Sequence, residues 1–117
     1  MRVPDWIIEL FEALDSGNVD DFCSYLTEDA SFIYASSPPT EGREAIHDFV
    51  QGFVNSIESS EHHLDEVYST PGRVIVRGHV DYERHDETTL EDVPFVDIFE
   101  LEDGKIDVYQ VYVEQDL

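Results

Sequence analysis

The residues from Val93 to Val113 constrain this chain more than any other stretch. Val93-Pro94-Phe95-Val96-Asp97-Ile98-Phe99-Glu100-Leu101 and Lys105-Ile106-Asp107-Val108-Tyr109-Gln110-Val111-Tyr112-Val113 flank Glu102-Asp103-Gly104. Apolar and β-branched runs on either side of an Asp-Gly predict an antiparallel hairpin, because the turn needs residues that tolerate positive φ. Side chains alternate along a strand, so Val93, Phe95, Asp97, Phe99 and Leu101 share one face. Asp97 is the acid that stands where a core residue belongs, and the rest of the chain is expected to fold around its face.

The register of the hairpin sets what lies beside Asp97. A two-residue Asp103-Gly104 loop pairs Asp97 with Gln110. A three-residue Glu102–Gly104 loop, with the glycine in the left-handed position, pairs Asp97 with Tyr109, Phe95 with Val111 and Val93 with Val113. A slip of one residue turns every side chain to the opposite face. The three-residue register keeps Gln110 and Glu114 off the Asp97 face and is the expected one.

Upstream, Pro4 suits the first turn of a helix carrying Trp6, Ile7, Leu10, Phe11 and Leu14. Gly17 ends it, and Asn18 caps a second helix with Val19, Phe22, Cys23 and Leu26. Ala30 to Ala35 reads as a short strand with Phe32 and Tyr34 on one face, and the Pro38-Pro39 segment as a loop. Gly42 opens a third helix whose stripe is Ala45, Ile46, Phe49, Val50, Phe53, Val54 and Ile57. His62 to Ser69 is a strand and Thr70-Pro71-Gly72 a turn.

Arg73 to Tyr82 then alternates. Val74, Val76, Gly78, Val80 and Tyr82 point one way; Arg73, Ile75, Arg77, His79 and Asp81 point the other. Arg84 to Asp92 is a polar connection before the hairpin. Helices followed by strands predict an α+β domain, with three N-terminal helices packed on the concave face of a curved antiparallel sheet. No linker or repeat divides residues 1–117, which read as a single domain.

Charge narrows the function classes. The 117 residues carry 28 acids against 6 bases, a net charge of −22, and Lys105 is the sole lysine. With 41% hydrophobic residues in clear periodic patterns, the chain is a folded one rather than a disordered acidic tail. No nucleic-acid partner is expected, because phosphate binding needs a basic face. Uncharged stretches are too short to span a bilayer and no basic-then-apolar leader pattern opens the chain, which reads as cytoplasmic. The lysine-poor, acidic composition is like that of proteins from salt-loving microbes. At molar salt the Debye length is about 3 Å, and the self-repulsion is screened. The lone Cys23 is a small core residue.

Three segments carry a family resemblance. Phe22 through Leu26-Thr27-Glu28-Asp29-Ala30-Ser31-Phe32 is similar to the helix-to-first-strand junction of the nuclear transport factor 2-like superfamily. Gly42-Arg43-Glu44-Ala45-Ile46-His47-Asp48-Phe49 resembles its G-R-x-A-I-x-x-F helix start. Asp103-Gly104-Lys105-Ile106 with Tyr109 and Tyr112 resembles the last hairpin of the SnoaL-like and ketosteroid isomerase-like branch. The resemblance implies a cone-shaped domain that dimerises through the outer face of its sheet. It also implies a blind apolar pocket, used without a cofactor by ketosteroid isomerases, polyketide cyclases, scytalone dehydratases and limonene epoxide hydrolases.

By position, Asp97 matches the acid that donates a hydrogen bond to the substrate oxyanion in ketosteroid isomerases, which are themselves a standard illustration of a carboxyl kept neutral. Tyr34 stands where that enzyme has its general base, and Leu10 where it has its tyrosine donor, so that reaction as such is disfavoured. Arg77, on the outward face by alternation, argues against the epoxide hydrolase arrangement. What remains is Asp97 with Tyr34 and Tyr109, around a hollow walled by Phe49, Phe53, Val76, Val80, Phe95 and Phe99, with Gly78 leaving room for a ligand.

Such a site suits acid–base work on a small, mostly apolar molecule, of isomerase, cyclase or dehydratase type. The alternative is a non-catalytic ligand-binding or dimerisation module, with Asp97 merely satisfied by the two tyrosine hydroxyls. His62 and His63 could supply a base or a metal ligand, but with no clustered Cys and no suitable acid spacing they read as surface residues, and no metal site is expected. Ile75, Val96, Ile98, Val108 and Tyr112 collect on the outer sheet face, where a homodimer is expected to form.

Overall fold

A computed structural model describes residues 3–114. The sequence begins with helices α1 (Asp5–Asp15) and α2 (Val19–Cys23), followed by strands β1 (Leu26–Tyr34) and β2 (Thr40–Glu41). Helix α3 (Arg43–Ser56) leads into β3 (Ser59–Thr70), β4 (Arg73–Glu83), β5 (Thr89–Glu102) and β6 (Lys105–Val113). The strands form one six-stranded sheet in the order β2-β1-β6-β5-β4-β3. The architecture is α+β: three helices and a curved, unclosed sheet.

The helices form where the apolar spacing places them. Ile7, Leu10 and Phe11 of α1 are buried, and Gly17 adopts φ +75° just beyond its end, while the Asn18 N–H donates to the Ala13 carbonyl at 2.9 Å. The Asn18 side chain accepts from the Asp21 N–H at 3.2 Å and caps α2. In α3, Ile46 and Val50 are buried, with Ile57 at its C-terminal cap. The expected stripe is narrower than its sequence: Ala45 is exposed and Phe49 is 42% exposed.

One helix-facing core joins these elements. It includes Ile7, Leu10, Phe22, Leu26, Ile46, Val74, Val76, Phe99, Ile106 and Tyr109. Cys23 belongs to it, and burial pushes its thiol up to about 11, out of the reactive range. Among the described residues no helix is long and apolar enough to cross a membrane.

Several expectations need correction. The sheet is mixed, because β1 runs parallel to β6 while the remaining pairs are antiparallel. β1 starts at Leu26 rather than Ala30, and β3 at Ser59 rather than His62. The polar connection before the hairpin shrinks, since Thr89 already pairs with Glu83 and Leu90 with Tyr82. Charged residues can occupy strand positions there because their side chains face solvent.

The hairpin register is neither of the two considered. Asp103 (φ +52°) and Gly104 (φ +80°) form a two-residue turn with Glu102 opposite Lys105. A bulge follows: Leu101 pairs with Ile106 but Glu100 pairs with Val108, leaving Asp107 as the extra residue. Beyond it Phe99 faces Tyr109, Asp97 faces Val111 and Phe95 faces Val113. The bulge is held from β1, where Thr27 Oγ1 donates to Asp107 Oδ1 at 2.9 Å, and from Tyr25, whose carbonyl accepts the Ile106 N–H at 2.8 Å. The expected pairing was displaced by two residues, an even slip, so Asp97 and Tyr109 still share a face.

Candidate functional site

Asp97 lies on the helix-facing side of β5 and is 3% exposed. The strand pattern puts it there: Val93, Phe95 and Phe99, at steps of two, are all buried on the same face. It is the buried charged residue of the core. The Tyr109 hydroxyl, reaching diagonally from β6, donates to Asp97 Oδ2 at 3.2 Å. Asp97 Oδ1 is also buried and has no hydrogen-bond partner among the described residues.

The electrostatics follow from that placement. Removal from water disfavours the carboxylate and raises the Asp97 pKa to about 8, against a smaller lowering by the Tyr109 hydrogen bond. Tyr109 is itself pushed well above its usual range by burial and by the neighbouring acid. Among the described residues no lysine or arginine lines the cavity to offset a negative charge. Burial thus favours the neutral carboxylic acid at Asp97, with Oδ2 accepting from Tyr109.

A cavity of about 400 Å³ opens beside it, within the range of small-molecule sites. Tyr34, Phe49, Phe53, Val80, Phe95, Asp97 and Tyr109 of the expected residues line it. Leu14, Phe22, Phe32, Val50, Tyr82, Val111 and Val113 complete its apolar wall, with Ser37, Ser56 and His62 as further polar groups. Tyr34 sits toward Phe49, ring centroids 6.4 Å apart, so the exposed part of α3 and the end of β1 meet there.

Three expected residues do not line the cavity. Val76 is fully buried directly across from Asp97 in the sheet. Phe99 is fully buried in an aromatic cluster, 4.5 Å from Tyr109 and 5.9 Å from Trp6 between ring centroids. Gly78 leaves no room for a ligand: a Cβ there would lie 2.1 Å from the His63 carbonyl oxygen and 3.0 Å from the Phe95 ring. The glycine serves the backbone, where β3 shifts register between Leu64 and Glu66 opposite it.

His62 was expected at the surface and is not. Its side chain is 9% exposed, lines the cavity, and packs on Phe11 and Phe95 with ring centroids 5.2 and 5.4 Å away. Asp15, at the end of α1, holds it: Oδ1 lies 2.6 Å from His62 Nδ1, and Oδ2 accepts the His62 N–H at 2.8 Å. Ser60 Oγ donates to the same carboxyl at 2.8 Å. The sequence held a signal for this, since His62 and Leu64 alternate with His63 and Asp65. His63 does face outward, stacked on His79 at 4.6 Å, and Arg77 is on the outer face, paired with Glu66. The described residues hold no cluster suited to a metal ion.

Comparison with known proteins agrees with this architecture. No curated protein sequence matches the chain. A proposed SnoaL-like polyketide cyclase of Jannaschia sp. CCS1 superposes with a TM-score of 0.84 at 18% identity, over 97% of this chain and 90% of that one. A hypothetical protein of Catenulispora acidiphila with a ketosteroid isomerase-like fold, solved with trimethylamine, gives 0.85 at 17% identity over 95% and 86%. A LEH-like epoxide hydrolase of Mycobacterium tuberculosis gives 0.79 at 13% over 92% and 79%. At these identities the likeness is one of fold. The model of the SnoaL-like domain matches residues 7–109, spanning both α1 and the Asp97–Tyr109 hairpin, and the chain belongs to the SnoaL-like domain family.

Proposed function

We propose that the cavity binds a small, mostly apolar molecule and that Asp97, as a neutral acid, donates a hydrogen bond or a proton to an oxygen of that molecule. The observation that carries this is Asp97 Oδ1: a buried, unpartnered carboxyl oxygen beside an apolar cavity of about 400 Å³. A buried polar atom left without a partner costs about 1–3 kcal/mol, a burden a ligand's acceptor relieves. The arrangement asks for a carbonyl or similar acceptor on a largely hydrocarbon body. It supports cofactor-free acid–base chemistry of the isomerase, cyclase or dehydratase kind, with Tyr109 fixing the carboxyl and Tyr34 at the cavity's edge.

The experiment compares 2-tetralone with tetralin, a ketone and a hydrocarbon of nearly equal shape, by calorimetry in molar KCl. Wild type is expected to prefer the ketone by up to about tenfold, the worth of one hydrogen bond. The preference should fade as pH rises through about 8, where Asp97 ionises. Asp97→Leu should bind both molecules alike. Equal binding of the two by wild type at pH 6, or saturable binding of neither, overturns the reading.

A further inference from the structure

We propose that the cavity takes a second class of ligand, an amine on an apolar ring body, held as an ammonium ion against Asp97 Oδ1. This rests on the reading of the cavity as a ligand site with Asp97 at its polar end. It adds a cation to the neutral oxygen acceptors considered above.

The wall supplies half of the site. Eight phenylalanine and tyrosine rings line the cavity. Around Tyr109, whose hydroxyl holds Asp97, the rings of Phe32 and Phe22 stand 5.1 and 5.8 Å away between centroids. At the exposed edge Phe49 lies 5.5 Å from Phe32 and 6.4 Å from Tyr34. The face of an aromatic ring is the negative part of its quadrupole and attracts an ammonium within about 6 Å of the centroid. Aliphatic walls of the same volume would hold the hydrocarbon body and offer the charge nothing.

Asp97 supplies the other half. It is 3% exposed, and its Oδ1 has no hydrogen-bond partner among the described residues. An ammonium N–H donates to that oxygen without needing a proton on it, and such charge-assisted bonds are the strong ones. An apolar cavity would expel an ammonium alone or a carboxylate alone; together each offsets the desolvation of the other.

The other titratable groups around the cavity do not oppose a cation. Tyr34 on β1, Tyr82 on β4 and Tyr109 on β6 carry hydroxyls, which are never cationic here. His62 on β3 can take a positive charge, and Asp15 at the end of α1, 2.6 Å from its Nδ1, balances it. Helix α2 contributes Phe22, and α3 contributes apolar side chains and Ser56. Among the described residues no lysine or arginine lines the wall. The chain as a whole, 28 acids against 6 bases, sets a potential of the same sign.

The proton count fixes the direction of the pH dependence. Asp97 titrates near 8 in the free protein, and a neighbouring ammonium lowers that value. Below about pH 8, binding therefore breaks the carboxyl O–H bond. The electron pair stays on the carboxylate, the proton leaves to water, and the amine keeps its own. Amine binding strengthens as pH rises to about 8, whereas the preference for a ketone fades as pH passes that value. One residue thus gives two ligand classes opposite responses to pH.

The test is calorimetry of 2-aminotetralin against tetralin in molar KCl, where long-range attraction to the surface acids is screened. Wild type is expected to prefer the amine by about tenfold or more at pH 8. Its affinity for the amine should rise nearly tenfold, on the order of one pKa unit's worth, from pH 6 to 7 and level off near 8. Titrations at pH 6 in two buffers of different ionisation enthalpy should show close to one proton released per amine bound. Asp97→Asn, which stays polar but cannot ionise, should lose both the preference and its pH dependence. Equal binding of amine and hydrocarbon at pH 8 overturns the inference. So does a flat affinity from pH 6 to 8, absence of proton release, or a pH dependence retained in Asp97→Asn. In those cases a preference for 2-tetralone at pH 6 leaves the donor role of Asp97 standing alone. Amine preference without ketone preference supports the ammonium site and removes the donor role. Binding of none of the three molecules removes both readings.

Discussion

On the concave side of β4 and β5, Val74, Val76, Val80, Val93, Phe95 and Phe99 are buried around a single acid, Asp97. On the outer side of the same strands Ile75, Val96 and Ile98 are half-buried among Arg73, Arg77, His79, Asp81 and Glu100. Acids on the outer side have partners: Arg73 lies 3.6 Å from Glu100, His63 lies 3.1 Å from Asp81, and Arg77 pairs with Glu66. His79 is raised by its hydrogen bond to Asp65. Such exposed pairs contribute little to stability. Asp97 is 3% exposed and has no lysine or arginine beside it among the described residues, so burial favours its neutral form. The comparison teaches that, in a chain of −22 net charge, an acid becomes informative through its surroundings and not through its presence.

The largest expected effect tests the inner side. An unfolded Asp titrates near 4, whereas Asp97 in the fold titrates near 8. Between these values the native state holds a proton that the unfolded chain has released. The stability due to neutral Asp97 is therefore complete below about pH 4 and is lost as pH rises to about 8. Four units correspond to a ceiling on the order of 5 kcal/mol. Asp97→Leu should match wild type near pH 4 and exceed it by several kcal/mol at pH 8, read by urea denaturation across that range. Parallel pH profiles for the two proteins would mean that Asp97 is ionised and solvated, like the acids outside.

A smaller effect is expected at Gly78, where the inner side is closed by the backbone itself. Gly78→Ala places a Cβ against the His63 carbonyl, which cannot rotate away. Overpacking of this kind costs about 1–3 kcal/mol, and the thermal midpoint should fall accordingly. An unchanged midpoint would show that β3 can move and that the glycine is dispensable.

The smallest effect on the monomer is expected outside. Ile98 is half-buried on an apolar outer patch that includes Tyr112, 48% exposed. We expect two copies to join through this patch once salt screens their charge. Light scattering in molar KCl should give twice the monomer mass for wild type and the monomer mass for Ile98→Glu, with the monomer's fold retained. Thermal midpoints of wild type should climb from low to molar KCl. A wild-type monomer at micromolar concentration in high salt would leave the outer side without a partner.

Much of this was legible in the residues alone. Period-two alternation assigned the faces of β4 and β5, and with them the burial of Asp97. Period-3.6 spacing, a capping Asn18 and the glycines at 17 and 42 placed the helices. These are local properties, set by φ/ψ preference and side-chain direction within a few residues.

Other features needed the assembled chain. The Asp107 bulge depends on contacts from Thr27 and Tyr25, some eighty residues away, and no local rule at the turn announces it. The parallel β1–β6 pairing, the closure over Gly78 and the withdrawal of Phe99 from the cavity are likewise long-range packing outcomes. The pairing of His62 with Asp15 joins β3 to the end of α1, forty-seven positions apart. Alternation could have turned His62 inward, but only the docking of α1 on the sheet brings a carboxyl to its ring. The sequence by itself determined which side chains of β4 and β5 face the interior, because alternation along a strand is a matter of local geometry. The tertiary structure alone decided which of them meet, because partners distant along the chain are chosen by how the helices and sheet pack.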